Sequence, residues 1–232
     1  MNKQKIVIAI DGHSSCGKST VAKDLAKALS IAYVDTGAMY RSVTLYALRH
    51  NLINNNQVDE VALLAALPNI KITFAFNAEQ KKNETFLNGE SVETEIRQME
   101  VSSHVSLVST IGAVRKQLVE WQREMGKEGS LVMDGRDIGT VVLPDADVKI
   151  FLTASAEKRA LRRYLELEEK KPGTQRYEDV LSDVILRDKQ DMTRETAPLK
   201  QADDAVLVDT TNADLDQSEE MLYAVCREKL GL

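Results

Sequence analysis

Residues 5–20 read KIVIAIDGHSSCGKST, and this stretch decides the fold. Lys5 to Ile10 make an apolar run of strand length, the pattern of a parallel strand covered on both faces. Gly12 to Thr20, GHSSCGKST, fits G-x-x-x-x-G-K-[ST]. VAKDLAKAL follows, with Val21, Leu25, Ala28 and Leu29 on one helical stripe. A buried strand, a glycine-bounded turn and a helix in this order build a phosphate cradle. Successive backbone N–H groups wrap the anion, and the helix N-terminus adds partial positive charge. Gly12, His13, Ser14, Ser15, Cys16 and Gly17 form the loop, while Lys18 reaches the β- and γ-phosphates. Ser19 supplies the hydroxyl position that ligands Mg²⁺, and Thr20 supports the cradle. The motif alone says nucleoside triphosphate without separating kinase, GTPase, motor or sensor. No DxxG switch or NKxD-type base-reading motif stands in a suitable place, which argues against a GTPase.

Working outward, a second strand over Ile31–Val34 ends at Asp35, and a helical pattern runs from Met39 to about Arg49. This alternation predicts α/β architecture. The rhythm breaks between Asn51 and Ser106. Val58–Leu67 reads as a short helix ended by Pro68, and Ile70, Ile72, Phe74 and Phe76 alternate as in a half-buried strand. Asn88-Gly89 is a type I′ hairpin signal. The region at about 60–106 is therefore expected to be an inserted lobe with its own antiparallel sheet. Ile111, Val114, Leu118, Trp121 and Met125 then recur at helical spacing, which assigns Trp121 to the core. Leu131–Met133, Val148–Leu152 and Ala205–Val208 are further buried strands. The segment from Ala156 to Asp191 is helical, highly charged and broken at Pro172-Gly173, so a lid is expected at about 156–176. Leu215–Leu230 closes the chain as an amphipathic helix with Met221, Leu222, Val225 and Leu230 inward. Residues 1–232 read as one domain carrying the lobe and the lid.

The chain has 232 residues, 43% of them apolar and 28% charged, which is ordinary globular composition. Thirty basic against 36 acidic residues give a formal charge of −6, which argues against a general nucleic-acid surface. No run has the length of a membrane span or the form of a secretory signal, so a cytoplasmic location is expected. Cys16 and Cys226 show no metal spacing and no disulfide framework.

A second constellation of charged residues stands at strand ends and on helix faces. DTGAMYR, residues 35–41, follows the second strand, where an open parallel sheet places its ligand crevice. There Arg41 can pair with an acceptor phosphate, and Tyr40 can stack on or orient the acceptor. DGRDIG, residues 134–139, follows the third strand. Asp134 is placed to orient Mg²⁺ or its waters. Arg136 and Asp137 are placed to grip a phosphate or polar groups, and Asp137 suits a base amino group because it offers only acceptor atoms. Arg159, Arg162 and Arg163 share a helix face, as do Arg187, Asp191 and Arg194. Such arginines offset charge moving between donor and acceptor oxygens.

Taken together, IDGHSSCGKST, VDTGAMYR, IRQMEVSSHVS, DGRDIGTVV, PDADVKIFL, EKRALRR and LRDKQDMTRETAPL closely resemble the bacterial cytidylate kinases over nearly the whole chain. The resemblance implies a P-loop kinase with a five-stranded parallel sheet, an enlarged monophosphate-binding lobe and a short helical lid. It implies phosphoryl transfer from ATP, with Mg²⁺, to CMP or dCMP, and a monomer. It further implies that Thr36, Arg41, Ser106, Arg115, Arg136, Asp137, Arg187, Asp191 and Arg194 surround the monophosphate. Cytosine recognition would fall to Ser106, Arg115 and Asp137. Arg159 and Arg162 would serve the ATP phosphates, and Lys18, Arg136, Arg159, Arg162 and Arg187 would carry the catalytic charge. The chain departs from the family's common GPSGAGK at His13 and Ser15 while keeping Gly12, Gly17 and Lys18. The rival readings are a kinase for UMP or AMP and an ATP-dependent regulatory module without turnover.

Overall fold

The computed structural model describes residues 5–77 and 82–231. The first four residues, residues 78–81 within the expected lobe, Leu232 and the side chains of Phe76 and Lys82 lie outside that description. Residue contacts divide the chain into two compact units, with boundaries at Tyr33/Val34 and Met125/Gly126.

The first unit holds the phosphate-loop sheet. Its strands are β1 (Val7–Gly12), β2 (Ala32–Asp35), which leads out of the unit, β8 (Leu131–Gly135), β9 (Val148–Thr153) and β10 (Val206–Asp209), in the order β10-β9-β1-β8-β2. Pairings of β1 with β8 and β9, and of β9 with β10, are parallel. Every residue of β1 is buried, as the unbroken apolar run demands. Helix α1 (Lys18–Leu29) covers the sheet with Val21, Ala22, Leu25 and Ala26, and α8 (Leu215–Leu230) adds Leu222 and Cys226 to the same core. Two expected inward positions turn out to face solvent: Ala28 is exposed, and Met221 is 37% exposed. The apolar stripe of each helix is narrower than its apolar residue set. Helices α6 (Ala156–Lys170) and α7 (Tyr177–Thr193) pack together through Ala160, Val180 and Val184. Ser155 caps α6, and the α6–α7 connection contains Gly173 at φ 70.

The second unit carries α2 (Thr36–Arg49), β3 (Ile53–Asn54), β4 (Gln57–Val58), α3 (Glu60–Ala66), β5 (Ile72–Asn77), β6 (Lys82–Leu87), β7 (Glu90–Ser91), α4 (Met99–Ser109) and α5 (Gly112–Glu128). Strands β5, β6 and β7 form an antiparallel sheet. Asn88 and Gly89 join β6 to β7 in two residues at φ 52 and 87, as a type I′ turn requires. Helix α2 begins three residues before the periodicity suggests, because the Asp35 carboxylate accepts the Ala38 N–H at 2.8 Å and starts the helix at Thr36. On α5, Val114 and Leu118 are fully buried, whereas Trp121 is only half-buried and Gln122 takes the interior position beside it.

Candidate active site

In the first unit, the phosphate loop leaves β1 at Gly12. A Cβ there would stand 1.9 Å from the Leu152 carbonyl oxygen, so no larger residue fits between β1 and β9. Gly17, at φ 92, turns the chain into α1, whose N-terminus has no side-chain cap. Its first N–H groups are therefore free of side-chain competition for an anion. Lys18 is 5% exposed and donates to the His13 carbonyl at 2.5 Å, with the Cys16 sulfur 3.6 Å away. Burial pulls its pKa down, and the nearby Arg136 charge acts in the same direction. An ammonium held on its own loop's carbonyl is poised to exchange that partner for phosphate oxygens.

Asp134, 4% exposed at the end of β8, accepts from the Ser19 hydroxyl at 3.0 Å and from the Tyr33 hydroxyl at 2.8 Å. A hydroxyl paired with a preoriented carboxylate suits a hard cation that keeps most of its water, so these residues fit Mg²⁺. Tyr33 was not foreseen; its ring lies in the sheet's apolar core and only its hydroxyl betrays the role. Asp11 was missed as well. It accepts the Ile138 and Gly139 N–H groups at 2.7 Å each and fixes the π-turn Ile138–Val142 that follows Asp137. Burial pushes its carboxyl up to about 6 against those two hydrogen bonds. An ionisable residue at the end of an otherwise apolar strand was the available signal.

The structure gathers Arg136, Asp137, Arg187, Asp191 and Arg194 of this unit. Arg136 Nε donates to Asp191 at 2.8 Å, and Arg194 lies 3.7 Å from Asp137 and 4.0 Å from Asp191. Burial works against the Asp191 charge, yet Arg136, Arg187 and Arg194 together hold its carboxyl below the ordinary range. The spacing of four and three over Arg187, Asp191 and the C-cap Arg194 thus puts three charged groups on one side of α7. On α6 the shared face divides. Arg159 is 3% exposed and Arg162 bonds the Cys16, Thr210 and Ala213 carbonyls, but Arg163 is half-exposed beside Glu166. Arg159 donates to the Ala154 and Ser14 carbonyls and makes a bidentate pair with Asp188.

In the second unit, Asp35 accepts from Arg41 at 3.0 Å and Arg97 at 3.1 Å. Burial opposes the Asp35 charge, and the two guanidiniums more than offset it, so its pKa is lowered. A Cβ on Gly37 would come 3.0 Å from Arg41 Nη1, which explains the glycine in DTGAMYR. Arg41 is thus held by Asp35, while its Nε is buried with no hydrogen-bond partner among the described residues. Thr36 is buried beside Asp35 in the chain. The Arg115 guanidinium lies 5.5 Å over the Tyr40 ring and donates to the Ser109 carbonyl. Ser106 is half-buried on α4. Arg97 was not singled out, because an arginine in a short turn has no periodic signature.

A buried lysine in a phosphate loop at the C-terminal end of the central parallel strand, with a serine–aspartate pair suited to Mg²⁺, defines a P-loop nucleotide-binding protein. Residues 8–227 match the family model described as cytidylate kinase. The chain is 53% identical to the cytidylate kinase of Phocaeicola vulgatus, over 94% of this chain and 95% of that protein. It is 52% identical to that of Parabacteroides distasonis, over 98% and 99%. The chain belongs to the cytidylate kinase family. The crystal structure of shikimate kinase from Bacteroides thetaiotaomicron covers 99% of this chain and 100% of its own at a TM-score of 0.50 and 12% identity, a likeness of fold alone.

Proposed function

We propose that the protein transfers the γ-phosphoryl group of ATP to CMP or dCMP, giving ADP and the matching diphosphate. The observation that carries this reading is the array of Arg136, Asp137, Asp191 and Arg194, linked by contacts of 2.8 to 4.0 Å. A nucleotide-dependent regulatory module needs the phosphate loop but has no use for a second buried set of anion-binding groups.

Lys18 leaves the His13 carbonyl to hold the β- and γ-phosphates, and the loop N–H groups of residues 12–20 surround them. Ser19 would hold Mg²⁺ directly and Asp134 through water, and the ion would supply positive charge at the triphosphate. Arg159 and Arg162 keep positive charge against the loop. Arg136 and Arg187 receive charge on the transferring group, with Asp137, Asp191 and Arg194 orienting the acceptor. In the other unit, Thr36, Tyr40, Arg41, Ser106 and Arg115 are acceptor-recognition residues, with Ser106 and Arg115 serving the base. The transfer is direct and in line. The acceptor phosphate is already ionised, so no general base is required. Closure of the arginine-bearing lid at 156–176 excludes water that would hydrolyse ATP. The reading includes a monomer in the cytoplasm without nucleic-acid or membrane partners. Among the described residues no helix is long and apolar enough to cross a membrane.

The test is ADP formation with ATP·Mg²⁺ and CMP, dCMP, UMP, AMP or GMP supplied singly. The expected result is strong dependence on CMP or dCMP. Turnover mainly with UMP or AMP overturns the base assignment, and ATP binding without acceptor-dependent turnover overturns the kinase.

A further inference from the structure

The loop residue Ser15 has φ 60, a left-handed conformation that a residue with a Cβ seldom adopts. Two guanidiniums of α6 hold the carbonyls on either side of it. Arg159 Nη1 donates to Ser14 at 3.3 Å, and Arg162 Nη1 donates to Cys16 at 3.3 Å. Arg162 is itself fixed by the Thr210 and Ala213 carbonyls. Arg159 is fixed by the Ala154 carbonyl and by both oxygens of Asp188, at 2.9 and 2.5 Å. Asp188 has another neighbour in the loop: His13 Nδ1 stands 3.4 Å from its Oδ1. The His13 ring rests edge-on against Phe151, 6.0 Å between centroids, and the His13 carbonyl is the one that holds Lys18.

We infer that Asp188 is a positioning residue for the donor-phosphate loop, acting on it through Arg159 and His13. One carboxylate on α7 thereby sets two points of the loop, the His13 side chain and the Ser14 carbonyl. The Arg159 guanidinium spends two of its donors on this carboxylate and one on the loop. Without the carboxylate it is free to turn away from Ser14, and the loop loses the brace that keeps Ser15 left-handed and the Lys18 carbonyl partner in place. Asp188 touches no reacting atom in this scheme. Its effect is on how ready the loop is to receive the triphosphate.

This inference rests on the proposed ATP site, so its test reads binding as well as turnover. The affinity of a non-hydrolysable ATP analogue with Mg²⁺, and separately of CMP, is measured by calorimetry on the full chain. Asp188→Asn, nearly isosteric, is expected to weaken the analogue about tenfold, the effect of losing a charge-assisted hydrogen-bond partner. CMP affinity is expected to stay within about twofold, because the acceptor contacts of α7 are kept. Asp188→Glu, which retains the charge, recovers part of the loss. His13→Ala weakens the analogue about threefold alone and no further in the Asp188→Asn background, since both act through one contact. An unchanged analogue affinity with a lowered melting temperature overturns the inference and leaves Asp188 a structural ion pair. Equal weakening of both ligands overturns it too, by placing the effect on α7 as a whole. Should Asp188→Asn not fold, an unchanged affinity in His13→Ala overturns it. Failure of wild-type protein to phosphorylate any monophosphate would sink the kinase reading while leaving these affinities interpretable.

Discussion

The two units of this protein hold their arginines by different means. In the phosphate-loop unit, Arg136 and Arg159 rise from a strand end and a helix and are each fixed by an aspartate of α7. In the unit of residues 34–125, Arg41 and Arg97 converge on one buried Asp35, which also caps α2. Arg115 is fixed there by an aromatic face and a carbonyl. The first arrangement spreads charge over several partners and leaves donors for phosphates. The second gathers two arginines on one carboxylate, whose loss would release Arg41 and a helix terminus at once and leave Arg97 to Glu93.

The largest expected effect is in the phosphate-loop unit. Lys18→Ala should lower kcat roughly 10²- to 10³-fold, about 3–4 kcal/mol of transition-state stabilisation, with the fold intact. Acceptor affinity should be unchanged by calorimetry; a parallel loss of CMP binding would break the division into donor and acceptor roles.

Next come opposite acid responses. Asp35 has a lowered folded pKa, so its stabilisation is present above the unfolded value near 3.8 and is lost as pH falls through the folded one. Asp11 is raised from 3.8 to about 6, so its contribution is fully present below 3.8 and is lost as pH rises to about 6. In urea titrations, Asp11→Asn should abolish a decline on the order of 2–3 kcal/mol between pH 4 and 6. Asp35→Asn should remove the loss of stability below pH 4, and should cost about 2 kcal/mol at neutral pH by taking the charged acceptor from the half-buried Arg41 and from the start of α2. Parallel pH curves for both variants and the wild type would erase the contrast.

The smallest effect sharpens the local rules of the unit of residues 34–125. A Cβ on Gly89 meets nothing within 4 Å, so Gly89→Ala bears only the cost of its φ of 87. Thermal unfolding should report a loss of about 1 kcal/mol and unchanged turnover.

Much of the donor half was legible because its parts are contiguous. One strand, one loop and one helix turn carry Gly12 through Thr20, and local geometry converts that order directly into a cradle. Helical spacing also paired Arg187 with Asp191 and Arg194. It misled for Arg163, Ala28 and Met221, because a period of 3.6 identifies a face without fixing its width. Trp121 yielded its interior place to Gln122 for the same reason.

The sequence by itself determined the α/β class, the phosphate loop, the hairpin at Asn88-Gly89 and the residue types available to a second anion. Each follows from chain-local rules of periodicity, turn conformation and backbone donors. Only the tertiary structure decided that Asp11 holds the turn after Asp137, that Tyr33 and Ser19 orient Asp134, and that Asp188 joins Arg159 to His13. Those partners are separated by 29 to 175 residues (Arg159 to Asp188 at the near end, His13 to Asp188 at the far end). A carboxylate's choice of partner depends on which elements the sheet brings alongside it, and that is a property of packing and not of local order.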